Sequence, residues 1–330
     1  MTQLAVAPSR ALRDDHLTPV WRRIGHSVAD AHTASDALAK AGLDWSVREK
    51  HLEISEPFGE NRIVKSHKAI VRQDSGDVLG VVGARYQPIQ NAESFEWLTS
   101  ALGHSIGSRA ISLETAGELR GGRIVWMLAL LPNELRVGAT DDVIKRYLLV
   151  CNSHDGSKAF RALITPIRVI CQNTLTLALR DGSGVHLRHT QNAMSRIPEA
   201  IRILGLAEAG FQTMQTQVDA LARVRMDSRR VVRYFDAVVR GTEENSEQKK
   251  EIRSKLVANM DDDRQRMRGI TGTLWAAFNA ATQYADWERP VRGKTADRQN
   301  HNRLNSIWFG SSAEFKRRAW TEALRIAANN

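Results

Sequence analysis

The chain has 330 residues, with 47 Lys and Arg against 37 Asp and Glu, a formal net charge of +10, 42% hydrophobic residues and 25% charged ones. That composition excludes a collagen, a wholly disordered chain and a disulfide scaffold, and the length allows one large domain or two ordinary ones. Two cysteines, Cys151 and Cys171, lie inside apolar runs and read as reduced core residues of a cytoplasmic protein. No apolar run approaches the roughly 20 residues of a membrane span, and the first 20 residues show no secretory pattern, so no membrane contact is expected. Residues 1–60 hold 7 basic and 9 acidic side chains, a net of −2, so the remaining 270 carry +12 (10 + 2). Such an excess points to a polyanion, most simply nucleic acid, through phosphate neutralisation.

The first 20 residues read as a tail. AHTASDALAKAGLDW then shows helical spacing, with Thr33 or Ser35 as N-cap and Gly42 as the stop. From about residue 50 strands take over. HKAIVRQD and DVLGVVGARY flank Asp74-Ser75-Gly76 and predict a hairpin. NAESFEWLTSALG returns to a helical period. RAISLETAGEL, GRIVWMLALLP, NELRVG, DDVIKRYLLVCN and KAFRALIT follow as strands, with Gly, Pro, Asn or Asp between most of them. NTLTLALR is a short helix candidate with Asn173 as its N-cap. Long amphipathic helices are predicted from Asn192 to Arg240, broken near Asp227-Ser228, then from Glu244 to Arg268 and over ITGTLWAAFNAATQYADW. WERPVRGKTADRQNHNR has no apolar period and predicts a basic loop over 288–303. A last helix follows, capped by Ser311 or Ser312. The expected fold is α+β, with a mainly antiparallel sheet in the N-terminal half and a helical C-terminal half packed on or beside it. The expected division is a tail and helix (1–49), a β-rich core (50–190) and a helical region (191–330).

The stretch from 147 to 190 is densest in polar chemistry. Asp155-Gly156 is a tight turn between two strands, whereas His154 and Ser157 are not explained by the turn and can face a ligand. Arg168, Gln172 and Asn173 interrupt an apolar run. They either satisfy buried loop groups or line a groove where arginine meets phosphate and amides meet sugar or base. Lys158, Arg161, Arg180, Arg188 and His189 add donors suited to the same anion. Cys151/His154 and His186/His189 have zinc-like spacings but match no known finger, and core cysteines with surface histidines are the preferred account. Gly80-x-x-Gly83 and Gly121-Gly122 extend to no nucleotide-binding loop, and no metal or cofactor is expected. Asp261-Asp262-Asp263 is followed at once by Arg264, Arg266 and Arg268 and reads as a self-neutralised surface.

The helical half is arginine-rich. Residues 221–240 hold six arginines against two aspartates, a net of +4, with Arg223, Arg225, Arg229, Arg230 and Arg233 extending a phosphate track. Residues 289–330 hold nine basic against three acidic side chains, a net of +6. Basic grooves interleaved with aromatics hold single strands. Trp275 and Phe278 read as core, Trp287 and Trp308 as stacking candidates.

Blocks including AGLDWSV, VRQDSGDVLGVVGARYQPIQNAESF, LETAGELRGGRIVWMLALLP, YLLVCNSHDGSKAF, TPIRVICQNTLTLALR, LRHT and GTLWAAFNAATQYADW closely resemble the phage/plasmid-like proteins that carry a large domain of unknown function. The stretch Val20-Trp21-Arg22-Arg23 departs from the Pro-Trp-His-Gly-like pattern of that family. The resemblance implies mobile-element biology, with replication or recombination as the setting. In outline the order of elements is also similar to single-strand annealing proteins of the RecT, Redβ and Erf type, which work as oligomers without ATP. The expected function is therefore ATP-independent binding and annealing of single-stranded DNA by a homo-oligomer, with duplex DNA as a second partner. The alternatives are a factor that acts on a host protein, or a hydrolase or nuclease using His154, Asp155, Cys171 and His189.

Overall fold

The computed structural model describes residues 18–96, 112–170, 172–174, 184–190, 193, 213–242, 244–263 and 265–330. In chain order the elements are α1 (Val20–Ile24), β1 (His26–Ser27), α2 (Ala34–Lys40), β2 (Val47–Ile54), β3 (Arg62–Arg72), β4 (Val78–Gly83) and α3 (91–96). The large sheet follows with β5 (Ser112–Leu119), β6 (Ile124–Leu130), β7 (Leu135–Arg136), β8 (Val143–Ser153), β9 (Phe160–Arg168), β10 (Asn173–Thr174) and β11 (Gly184–Leu187). The helices are α4 (213–223), α5 (Ser228–Arg240), α6 (Ser246–Asn259), α7 (Leu274–Gln283), which passes into a π-turn (Tyr284–Glu288), α8 (Ala296–Phe309) and α9 (Ser311–Ala328). The expected α+β class holds: antiparallel sheets come first and most helices follow.

The large sheet has the order β1-β5-β6-β8-β9-β10, with β11 on β9 and β7 on β8, all antiparallel. Its central strands read as unbroken apolar runs because both faces are covered. In β6, Val125, Met127 and Ala129 face a core shared with α2 and the small β2-β3-β4 sheet. Ile124, Trp126 and Leu128 face the opposite way, towards Val20 and Trp21 of α1 and Leu304, Ile307 and Trp308 of α8. Strand β8 alternates likewise, Leu148 and Val150 against Tyr147, Leu149 and Cys151. A third core joins α4 to α7 and α9, and takes Leu135, Val137 and Ile144 from the sheet. Sheet and helices share cores: α8 lies on the sheet, and β7 and β8 feed the helical core.

Several local expectations are met for the reasons given. Thr33 caps α2 by accepting the Asp36 N–H at 3.0 Å, and Gly42 takes φ +64° after it. The β3–β4 hairpin turns at Asp74-Ser75-Gly76 with Gly76 at φ +78°. Asp227 caps α5, at the expected break after α4. Four expectations need correction. Asn173 is not a helix N-cap, because Asn173-Thr174 pairs with Ile167-Arg168 as strand β10. Residues 296–303 are not loop: Thr295 caps α8 by accepting the Arg298 N–H, and its first two turns are polar because only Leu304, Ile307 and Trp308 reach the core. Helix α9 is capped by neither Ser311 nor Ser312. Gly310 holds the N-cap position, and Ser306 of α8 accepts the Ser312 N–H at 3.1 Å. Helix α6 stops at Asn259, and the triple aspartate falls in the turns that follow rather than on a helix face.

Candidate nucleic-acid interface

The polar residues of 147–190 divide into buried ties and accessible cations. Arg168 belongs to the first group, which corrects the expectation that it meets phosphate. It is fully buried: Nε donates to both Asp142 oxygens at 2.8 Å, and Nη1 donates to Gln265 Oε1 at 2.8 Å. Trp275 Nε1 donates to the same carboxylate at 2.8 Å, so the pair welds β9 to the helical core. Asn173 is also buried and bridges outwards, donating to Thr282 Oγ1 at 3.0 Å and accepting from Trp287 Nε1 at 2.9 Å. His154 sits beside Trp45 (centroids 5.3 Å apart), with Nε2 2.8 Å from Asn91 Oδ1. His189 stacks on Tyr86 at 4.7 Å and 17°. Burial lowers the two histidines to about 3 and about 4, so both are neutral near pH 7 and hold no anion by charge. Arg180 and Cys171 lie outside the described residues.

Lys158 and Arg161 remain where a polyanion can reach them. Arg161 is the second residue of β9, opposite Cys151 of β8 and His186 of β11. By strand alternation it points to the α8 side, together with Leu163, Thr165 and Ile167. Its guanidinium carbon lies 5.6 Å from the Phe309 ring centroid, and Lys158 Nζ lies 4.8 Å from the same ring. Both side chains are half-buried, neither has a carboxylate within ion-pair distance among the described residues, and Arg161 Nε is buried without a hydrogen-bond partner there. Burial, then the charge of Arg161, lowers the Lys158 ammonium, and the same two causes lower His186. Asp155 stands nearby, but its Oδ1 accepts from Ser153 Oγ at 2.7 Å and Ser157 N at 2.9 Å. The exposed Arg188 follows β11. Cys151, behind this cluster, is a core thiol that burial pushes up to about 12.

About 20 Å along β9, at the other end of α8, lies a cleft of about 330 Å³ between α1, α8 and the π-turn. Gln172, at φ +50°, lines it with Trp287, Arg23 and Arg303. The Arg23 guanidinium lies 5.7 Å from the Trp287 ring centroid. Arg303 donates to the Asp286 carbonyl at 3.2 Å; burial lowers it, the Asp286 charge offsets part of that, and Arg23 adds a smaller like-charge repulsion. Neither arginine pairs with a carboxylate among the described residues. Asp286 itself is spoken for. Its Oδ1 accepts from the fully buried Lys316 at 2.7 Å, and its Oδ2 accepts from Thr174 N at 2.7 Å and Thr174 Oγ1 at 2.9 Å. The π-turn carries both groups, with Asp286 buried and Trp287 half-buried.

The helical arginines form a separate surface. Arg230 and Arg233 line a shallow cleft of about 240 Å³ with Arg325 and Asn329 of the α9 end, and it shares no residue with the β8–β9 cluster. Arg225 donates to the Thr271 carbonyl at 2.8 Å, and Arg230 donates to the Arg225 carbonyl at 3.1 Å and Asn330 Oδ1 at 2.7 Å. Arg223, Arg229 and Arg233 are exposed. Trp308 is no stacking platform, since it packs edge-on against Trp126 at 5.1 Å in the core. Trp275 and Phe278 are core, as expected. Sequence reasoning missed Arg23, Arg303, Lys316, Asp286 and Asp142. The run of charges around Arg303 was visible, but nothing local marked its partners 17 to 280 residues away.

Among the described residues no three His, Cys, Asp or Glu side chains are grouped to hold a metal ion, and no helix is long and apolar enough to cross a membrane. No curated protein and no solved structure matches the chain. One family model does, over residues 78–308, a span that takes in β5 to β11 of the large sheet, the π-turn and α8 up to Trp308. The chain therefore belongs to the family described as the domain of unknown function DUF932.

Proposed function

We propose that this protein binds single-stranded nucleic acid along the α8 side of β9, as an ATP-independent binding and annealing factor of a phage or other mobile element. One observation carries the reading: Lys158 and Arg161 crowd together, half-buried against Phe309, with neither ion-paired to a carboxylate among the described residues. Two cations held so close raise the free energy of the fold unless an anion joins them, and a ring beside them offers a face to a base. A duplex cannot enter a site framed by a helix lying on a sheet as readily as a flexible single strand can. Annealing further requires copies that hold strands in register, so an oligomer belongs to this proposal.

The test is fluorescence anisotropy with single-stranded and duplex oligonucleotides over a salt titration. Lys158→Ala and Arg161→Ala are each expected to weaken single-strand binding and flatten the salt slope by about 0.7, the value for one phosphate contact. Unchanged slopes in both variants, or no binding of the wild type at low salt, would refute it.

A second reading has its own support. Strands β2 to β4 expose Ile54, Ile63, Val78 and Val81, and the β2–β3 connection carries a fully exposed Phe58. Such a strip suits a protein contact. Loss of a host partner on Phe58→Ser, with nucleic-acid binding intact, would assign that surface.

A further inference from the structure

We infer that the cleft between α1 and α8 binds a nucleoside monophosphate unit, with Arg23 and Arg303 clamping its phosphate. The cleft's 330 Å³ lies at the small end of the roughly 300–1,000 Å³ of small-molecule sites, enough for a base, sugar and phosphate. Its charge is positive for a specific reason. The one carboxylate in its wall, Asp286, is paired from behind with Lys316 and accepts from both donors of Thr174, so neither Arg23 nor Arg303 forms an ion pair with it, and its charge offsets only part of what burial costs the Arg303 cation. Two arginines that repel each other across a partly desolvated space are the ordinary recipe for a phosphate clamp. The first turn of α8 adds the positive end of its dipole, since Ala296 and Gln299 line the same cavity.

The remaining lining suits a nucleoside. Trp287 is half-buried, with its N–H fixed on Asn173, which holds the indole in one orientation. Gln172 donates to the Val169 carbonyl at 2.8 Å and Gln299 to the Gly293 carbonyl at 3.0 Å, and both residues line the cavity with amide oxygens that have no partner among the described residues. The Asn300 side chain makes no hydrogen bond among the described residues. Amides with free donors and acceptors recognise base edges, whereas a bare phosphate site has no use for them.

This inference rests on the nucleic-acid reading only for where the unit comes from: a free nucleotide and the 5′-phosphorylated end of a strand present the same chemistry. Calorimetric titration of the full chain with dTMP, thymidine and inorganic phosphate separates the parts. Binding of dTMP is expected, with thymidine and inorganic phosphate each at least about tenfold weaker. Arg23→Ala and Arg303→Ala should each weaken dTMP about tenfold. Arg23 is exposed, so its variant should melt at the wild-type temperature and keep the test valid if Arg303→Ala is unstable. Thymidine or inorganic phosphate binding as tightly as dTMP, or no dTMP binding at millimolar concentration, would overturn the assignment. A matched pair of oligonucleotides, 5′-phosphorylated and 5′-hydroxyl, then identifies the source. A preference for the phosphorylated strand that Arg23→Ala removes places a strand end in the cleft. Oligonucleotides that bind equally while dTMP binds place free nucleotide there. If both oligonucleotides bind and dTMP does not, the cleft assignment fails while the binding surface at Lys158 and Arg161 stands.

Discussion

Removing Arg168 should unfold the protein more easily and leave nucleic-acid binding untouched. In Arg168→Met the side-chain volume is largely kept, while the Asp142 carboxylate loses both contacts from Nε and retains the Trp275 N–H. Stripping one partner from a fully buried pair typically costs about 3–5 kcal/mol, because the remaining charge is left desolvated. With an unfolding entropy of about 2.1 cal/mol/K per residue, 330 residues give roughly 0.7 kcal/mol/K, so the melting temperature should fall by about 4–7 °C. Differential scanning calorimetry measures this directly. Adding Asp142→Asn in the same chain removes the stranded charge and should recover part of the loss, a coupling that separate surface roles would not show. An unchanged melting temperature combined with a flatter salt slope of DNA binding would refute this reasoning and return Arg168 to the ligand surface.

Acid should destabilise the protein through His154 and His189. Their folded values of about 3 and 4 lie below the unfolded value near 6.5, so the unfolded chain takes up more protons and stability is lost as pH falls from about 6.5 towards 4. Where both differ, the slope approaches about 2.7 kcal/mol per pH unit, and His154→Gln with His189→Gln should flatten urea midpoints measured from pH 7 to pH 4.5. Gly80→Ala should cost about 1–3 kcal/mol, because its Cβ would lie 2.5 Å from the Asp155 Cα, backbone that cannot swing aside. A urea titration showing wild-type stability for that variant would mean that the β4 strand and the 154–157 turn do not pack so closely.

The sheet was legible because alternation and turn chemistry are local signals. GRIVWMLALLP and DDVIKRYLLVCN read as strands, and Asp74-Ser75-Gly76 as the turn of a hairpin. Strand β2, VREKHLEI, escaped notice because only Val47 is buried, so it carries no apolar period to read. Helix α8 escaped for a related reason: its anchoring residues sit in its last turns, and its N-terminal half faces water and the cleft. At the site, the sequence marked a polar interruption at 168–174 but could not distinguish a groove from an internal tie. That distinction depends on Asp142, Gln265, Thr282 and Asp286, which only the fold brings beside it.

The net charge of +10 overstates some basic residues as binding groups and hides others. Arg168 and Lys316 are cancelled internally by Asp142 and Asp286, and the buried Arg146 spends its donors on the carbonyls of Pro132 and Asn133. What can neutralise phosphate is the set of cations that lack a carboxylate, and that set can be counted by salt dependence. Four of them flank α8: Lys158 and Arg161 at one end, Arg23 and Arg303 at the other. For a single strand each contributes about 0.7 to the slope of log K against log salt, so a strand lying along this face should give a slope near −3. If the track also recruited Arg229, Arg230 and Arg233 of α5, the count would reach seven and the slope about −5. The two magnitudes are far enough apart for one titration to separate them. Arg233→Ala then serves as the control: with a slope near −3 it should change nothing, since α5 and α9 would stand clear of the strand. A slope near −1 would mean that the unpaired cations at the two ends of α8 do not act on one ligand.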